Sequence, residues 1–327
     1  MASEAGQAAL PAAVLLMGPT AAGKTGLALQ LAEVMPVELI SVDSAQVYRG
    51  LDIGSAKPDP ATLKAFPHAL IDIREPEDNY SAADFLADAE QAMRRASADG
   101  RLPLLVGGTM MYFRALLYGL DRLPAADPAL RAQLQAWADR EGWGRLYREL
   151  TRIDPVTAAS VRPSDPQRIQ RALEIYQLSG RRPSDLREGR VLPRFRALKL
   201  VVCPGHRHIL HARIADRLEA MIACGFVDEV ERLRQRPELH ADCAAMKSVG
   251  YRQAWNLLDG ELDMEQFHQR TLAATRQLAK RQLTALRQMA DALWYDPSRN
   301  GVNDRIFRQV EGFSRHLAQL PGSVPAS

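Results

Sequence analysis

The chain is short of cysteine. Its three, Cys203, Cys224 and Cys243, stand far apart with no Cys-x-x-Cys pair. That spacing argues against a disulfide framework and a thiolate zinc site, and it predicts a reducing cytoplasm as the setting. Long apolar runs are missing too. The opening MASEAGQAALPAA carries an acid, no basic cluster and an apolar stretch broken at Pro11, so neither a signal peptide nor a membrane span is expected. No internal repeat is visible. A strong charge of one sign is also absent: the formal net charge of +3 permits a polyanionic partner without demanding one.

At 327 residues the chain exceeds the roughly 250–300 at which one hydrophobic core stops growing. A main domain with a second lobe is therefore expected. AAVLLMG (12–18) is a short apolar run that stops in glycine, and TGLALQLAEVM after it has helical spacing. VELISVDS, LPLLVGG and ALKLVVCPG are further β-rich runs. Strands separated by helical patterns predict an α/β protein with a parallel doubly wound sheet, whose ligands gather beyond the carboxyl ends of the strands.

Between Gly119 and Pro193 no such run occurs. PALRAQLQAWADREGWGRLYRELTRID and PQRIQRALEIYQLSG have apolar residues at helical spacing and end in turn formers. The expected organisation is a sheet core of residues 12–117 and 198–316, a helical insertion over 118–197, and disordered tails at 1–11 and 317–327. The core closes in long helices, of which FHQRTLAATRQLAKRQLTALRQM is the clearest.

Gly18-Pro19-Thr20-Ala21-Ala22-Gly23-Lys24-Thr25 has the G-x-x-x-x-G-K-[ST] spacing of a phosphate-cradling loop, and it falls between a strand and a helix. Glycines let the backbone turn so that several N–H groups face one anion, and the following helix adds its positive end. Lys24 is expected to reach the terminal phosphate and the Thr25 hydroxyl to ligate Mg²⁺. The loop alone does not say whose phosphates it holds. A kinase or NTPase adds an acidic metal ligand at a strand end, a part open to Asp43 in LISVDSAQVY. The same Asp43 also suits a base in a reaction without ATP.

GPTAAGKT, SVDSAQVYRGLDIGSAKP, LVGGTMMYFRALLYGL, DPQRIQRALEIY, SVGYRQAW and ATRQLAKRQLT follow one another over roughly Leu15 to Arg287. In those blocks and their order the chain resembles tRNA dimethylallyltransferases, also called tRNA isopentenyltransferases. The resemblance implies transfer of a dimethylallyl group from dimethylallyl diphosphate to the exocyclic amine of the adenosine just 3′ of a tRNA anticodon. It also implies a P-loop core whose helical insertion grips the anticodon arm.

By that resemblance Asp43 is the base. Thr20 contacts the oxygen that leaves the allylic carbon, Arg217 in HARIADRLEAM stands near the diphosphate, and Lys24 with Mg²⁺ on Thr25 neutralises it. Asp43, Ser44, Ala45 and Gln46 touch the flipped adenosine, with the Gln46 carboxamide offered to an adenine edge. Gln167-Arg168-Ile169-Gln170-Arg171 and Lys247-Ser248-Val249-Gly250-Tyr251-Arg252 are implied tRNA contacts, as are Thr109 and Arg131. The pattern departs from relatives at Met110-Met111, where many have Gly-Leu, and at Ala285, where tryptophan is frequent. The zinc finger of eukaryotic relatives is absent, which implies a bacterial type.

Charge distribution agrees with an RNA partner. From Arg162 to Arg196 there are nine arginines against four acids, a larger positive excess than the +3 of the whole chain. Arg270 to Arg287 holds five basic residues and no acid, with Arg276, Lys280 and Arg281 among them. Arg276 and Lys280 share a helix face. Two such clusters favour an RNA backbone. A P-loop kinase, a non-catalytic RNA-binding protein and an enzyme acting on free AMP or ADP are the rival readings. The basic insertion argues against the last, because a mononucleotide needs no such grip. A monomer acting on one tRNA is the simplest expectation.

Overall fold

The computed structural model describes residues 10–121, 123–186 and 192–319. The chain divides into two compact units at Tyr118/Gly119 and Val191/Leu192. The first unit opens with β1 (Ala13–Met17), α1 (Lys24–Val34), β2 (Val37–Val42), α2 (Pro60–Ala65), β3 (His68–Ala69), α3 (Ala82–Ala98), β4 (Leu102–Gly107) and α4 (Met110–Tyr118). The second unit consists of α5 (Pro128–Glu141), α6 (Trp143–Ile153), α7 (Pro155–Ala159), α8 (Pro166–Ser179) and a 3₁₀ turn, Pro183–Leu186. The chain then returns to the first unit with β5 (Ala197–Val202), α9 (Arg207–Ala223), α10 (Phe226–Arg234), α11 (Tyr251–Leu258), α12 (Met264–Leu286), β6 (Leu293–Tyr295) and α13 (Val302–Ala318).

The strands form one parallel sheet in the order β3-β2-β4-β1-β5-β6. β1 is buried along its whole length, which explains its unbroken apolar sequence: both faces of a parallel sheet are covered. Its side chains alternate between two cores. Ala13, Leu15 and Met17 pack with Phe85, Met93, Phe113 and Leu116 of α3 and α4. Val14 and Leu16 pack with Leu27 and Leu31 of α1 and with Val302, Ile306 and Val310 of α13. A third core joins the segment after β2 (Val47, Tyr48, Leu51) to Phe226, Tyr251, Trp255 and Phe267.

The helical unit is punctuated by Asp-Pro. Asp127, Asp154 and Asp165 each cap the helix whose first residue is the next proline, accepting the amides of Leu130, Thr157 and Arg168. Proline at that position gives up only an N–H that had no helical partner. Asp154 is fully buried and also accepts Ser184 N at 2.9 Å. Burial alone would raise its pKa, but the hydrogen bonds from Thr157 and Ser184 prevail and hold the carboxyl down to about 2.

Several expected limits shift. β5 begins at Ala197, yet residues 192–196 already belong with the first unit: Arg194 N donates to Leu117 O at 2.7 Å and Phe195 packs in the sheet core. At the ends, Leu10 is buried in that core and α13 continues to Ala318, so neither residue is in a tail. The remaining tail positions, 1–9 and 320–327, lie outside the described residues, as do Arg187, Glu188 and Arg190 of the basic run. β3 and β6 are short edge strands without a recognisable apolar run.

Candidate active site

The site lies beyond the carboxyl ends of β1, β2, β4 and β5. Gly18 leaves β1 so close to β5 that a Cβ there would stand 2.3 Å from Val202 O, so only glycine fits. Ala21 has φ 61° and Gly23 φ 92°, and this left-handed turning coils the loop onto the amino end of α1. Lys24 Nζ donates to Pro19 O at 2.8 Å. Burial lowers the Lys24 pKa to about 8; the Asp43 carboxylate pulls it back up and Arg217 adds to the fall. The Thr25 side chain, one residue on, is at the exposed end of the helix.

Arg217 reaches in from α9, and its guanidinium donates to Thr20 Oγ1 at 3.3 Å. Burial lowers its pKa and Asp43 raises it. The structure thus brings Thr20, Lys24, Arg217 and Asp43 into one electrostatic neighbourhood, two cations and a carboxylate at a helix amino end. Asp43 follows β2, and its Oδ1 accepts Ala45 N at 2.9 Å, an Asx turn that starts the DSAQ segment. Ser44 N donates to Thr109 Oγ1 at 3.2 Å, and Thr109 N donates to Val42 O, also at 3.2 Å. Thr109 therefore ties the end of β4 to that of β2.

Three placements correct the sequence reading. The Gln46 carboxamide is not presented as a free edge: its amide group donates to Ser55 O and Ala56 O, and its oxygen accepts from Ser41. Tyr251 and Ile169 are fully buried, so neither side chain offers an RNA surface. Sequence motifs span both faces of an element, and these two residues fall on the core face.

The basic residues are of two kinds. Arg131 and Arg171 both donate to Glu174, whose side chain is 0% exposed, at 2.8 and 2.6 Å. Glu174 also accepts Asp127 N, Arg171 donates to Pro124 O, and Gln170 donates to Arg131 O. A carboxylate buried in the helical unit therefore fixes these guanidiniums. Burial would raise the Glu174 pKa, but the two arginines lower it. By contrast Gln167, Arg168, Lys247, Arg252, Lys280 and Arg281 are exposed, with Ser248, Val249 and Arg276 partly so. Arg276 Nε is buried without a hydrogen-bond partner among the described residues.

Sequence reasoning missed three positioning residues. Gln282 of α12 accepts Thr20 N at 2.9 Å and donates to Gly108 O at 2.9 Å, pinning the phosphate loop to the end of β4. Glu229 of α10 accepts the amides of Asp52, Ile53 and Gly54 and the Tyr251 hydroxyl, holding the segment after Gln46. Gly54 has no room for a Cβ, which would stand 2.1 Å from Phe226 Cε2. Lys57, with a side chain 3% exposed, bonds Asp52, Asp72 and Tyr48 O. The GLDIGSAKP stretch is thus mainly internal scaffolding that sets the end of β2.

One protein oxygen at the site, the Thr25 hydroxyl, suits Mg²⁺, which keeps waters and binds phosphate oxygens with one or two protein oxygens. Among the described residues no group of three or more His, Cys, Asp or Glu is placed to hold a metal.

The IPP transferase family matches residues 46–289. A protein of Xanthomonas axonopodis pv. citri (strain 306) named tRNA dimethylallyltransferase is 55% identical over 325 residues, covering 97% of this chain and 98% of the relative. The solved full-length tRNA isopentenylpyrophosphate transferase of Bacillus halodurans is 34% identical, with TM-score 0.68 over 93% of this chain and 96% of that one. A eukaryotic dimethylallyltransferase solved acting on tRNA shares the fold at TM-score 0.76 and 23% identity, covering 96% of this chain and 82% of that one.

Proposed function

Because the chain belongs to the IPP transferase family, we infer that it transfers a dimethylallyl group from dimethylallyl diphosphate to the exocyclic amine of the adenosine 3′-adjacent to a tRNA anticodon, releasing diphosphate. The observation that carries this reading is the meeting of Thr20, Lys24 and Arg217 with the carboxylate of Asp43 at one set of strand ends.

An adenine amine is a poor nucleophile because its lone pair is delocalised into the ring. As nitrogen bonds the allylic carbon it becomes acidic, and Asp43 takes its proton; positioned bases contribute about 10²–10⁴-fold. The carbon–oxygen bond breaks at the same time and its electrons leave with the diphosphate. The loop amides, Lys24 and Arg217 hold that charge in a fixed field, where each donor is worth about 3 kcal/mol. Thr20 N is taken by Gln282, so the remaining amides serve the anion. Arg217 donates to Thr20 Oγ1, which leaves the threonine proton free to reach the departing oxygen.

Mg²⁺ held by the Thr25 hydroxyl would add neutralisation of the diphosphate. The exposed bases of α8 and α12 would meet tRNA phosphates. Among the described residues no helix is long and apolar enough to cross a membrane, and the three cysteines are free. A monomer working in the cytoplasm is the setting we propose. Incubation with labelled dimethylallyl diphosphate, Mg²⁺ and unmodified tRNA should label the tRNA. No transfer to any tRNA with an A-rich anticodon 3′ flank would sink the reading.

A further inference from the structure

Beyond the carboxyl ends of β5 and β6 a cavity of about 430 Å³ opens. Apart from Arg287, at the end of the basic run on α12, none of its lining residues has figured in the site above. Four arginines, Arg207, Arg287, Arg299 and Arg305, face it with a single carboxylate, Asp296. That carboxylate is occupied by Ser298, whose N and Oγ donate to Oδ1 at 3.0 and 2.6 Å, and Arg299 Nε lies 4.0 Å from Oδ2. Arg207 Nε donates to His211. Arg287 and Arg305 have no ion-pair partner among the described residues. A cleft so lined concentrates anions.

Charge is half of the pattern. Trp294 lines the same cavity with 45% of its surface exposed, an unusual position for an indole that packing alone does not require. The floor is apolar, with Leu210 buried and Leu283 beside it. Cys203 shares the floor, and burial pushes its thiol up, so it presents a neutral surface. A bare diphosphate has no use for an indole and an apolar floor, and a hydrocarbon has none for four guanidiniums. A ligand that is aromatic at one end and phosphorylated at the other uses all three.

We propose that this cavity, lined by none of residues 18–25, is a nucleotide subsite, with a base stacked on Trp294 and its phosphate among Arg287, Arg299 and Arg305. The nucleotide is either free or one unpaired residue of an RNA chain; an RNA source rests on the function proposed above, whereas the subsite does not.

Tryptophan fluorescence of the full chain, titrated with AMP and separately with an unmodified anticodon stem-loop RNA, tests it. No prenyl donor is added, so a failure of prenyl transfer leaves this readout unmoved. A saturable quench is expected and should vanish in Trp294→Phe. The double variant Arg287→Ala/Arg305→Ala, checked for folding by circular dichroism, should bind roughly tenfold more weakly or worse. An RNA source shows as quenching by the stem-loop at roughly tenfold lower concentration than AMP, with that affinity also lost in the double variant. A free-nucleotide source shows as tight AMP binding that the stem-loop does not displace. No saturable quench with either ligand, or an affinity unchanged in a folded double variant, overturns the proposal.

Discussion

Lys24 should weaken the fold that contains it. Its pKa falls from 10.5 to about 8, chiefly because burial strips water from the ammonium. In the unfolded chain the amine stays charged up to its ordinary value, so between pH 8 and 10.5 the unfolded state binds more protons and stability rises with pH. Below pH 8 the folded protein bears the whole penalty, about 3 kcal/mol for a shift of that size. Lys24→Met removes it but also loses the hydrogen bond to Pro19 O, worth about 1 kcal/mol. The variant should therefore be about 2 kcal/mol more stable at pH 7, with a gain that shrinks towards zero near pH 9.5, while losing transfer activity. Urea unfolding at the two pH values measures this directly. A variant less stable than the parent at pH 7, or a difference independent of pH, would refute the reasoning. In the parent, donor affinity should fall as pH rises through about 8, where the free enzyme loses the Lys24 charge.

Asp43→Ala should lower turnover by roughly 10²–10⁴-fold with donor affinity nearly unchanged; a collapse of donor affinity in equilibrium binding would make Asp43 a metal-site residue instead. Glu229→Gln sets an amide group against donors that now face a carboxylate. The expected loss is about 3 kcal/mol, a fall in Tm of roughly 6–12 °C by calorimetry, and an unchanged Tm would show that the segment after Gln46 holds itself. Gln282→Leu frees Thr20 N and Gly108 O, so steady-state kinetics should show the donor KM rising roughly tenfold or more. If kcat falls alone, Gln282 does not act through the phosphate loop.

The sheet was legible in sequence for a physical reason. Central parallel strands are covered on both faces, so AVLLM and ALKLVV leave long apolar traces, whereas two-residue β3 and edge strand β6 leave almost none. The phosphate loop was legible because its backbone turns demand glycine at fixed intervals. Gln282 and Glu229 were not, since each acquires its role from a partner far along the chain, 262 residues away for Gln282 and Thr20. Contact motifs carried a third kind of uncertainty: a run such as QRIQR states which residues recur but not which way each one faces. Ile169 turns into the helical core, Arg171 to Glu174, and Arg168 outward.

The hydrogen bond from Arg194 N to Leu117 O has a consequence for how such a protein can diversify. The departing and returning strands of chain meet there, so everything between is a detour that the sheet's register does not need. A short turn in its place should leave β4 and β5 paired with β1 as before. The detour can then be lengthened, trimmed or exchanged while the strand ends keep the same atoms in the same places.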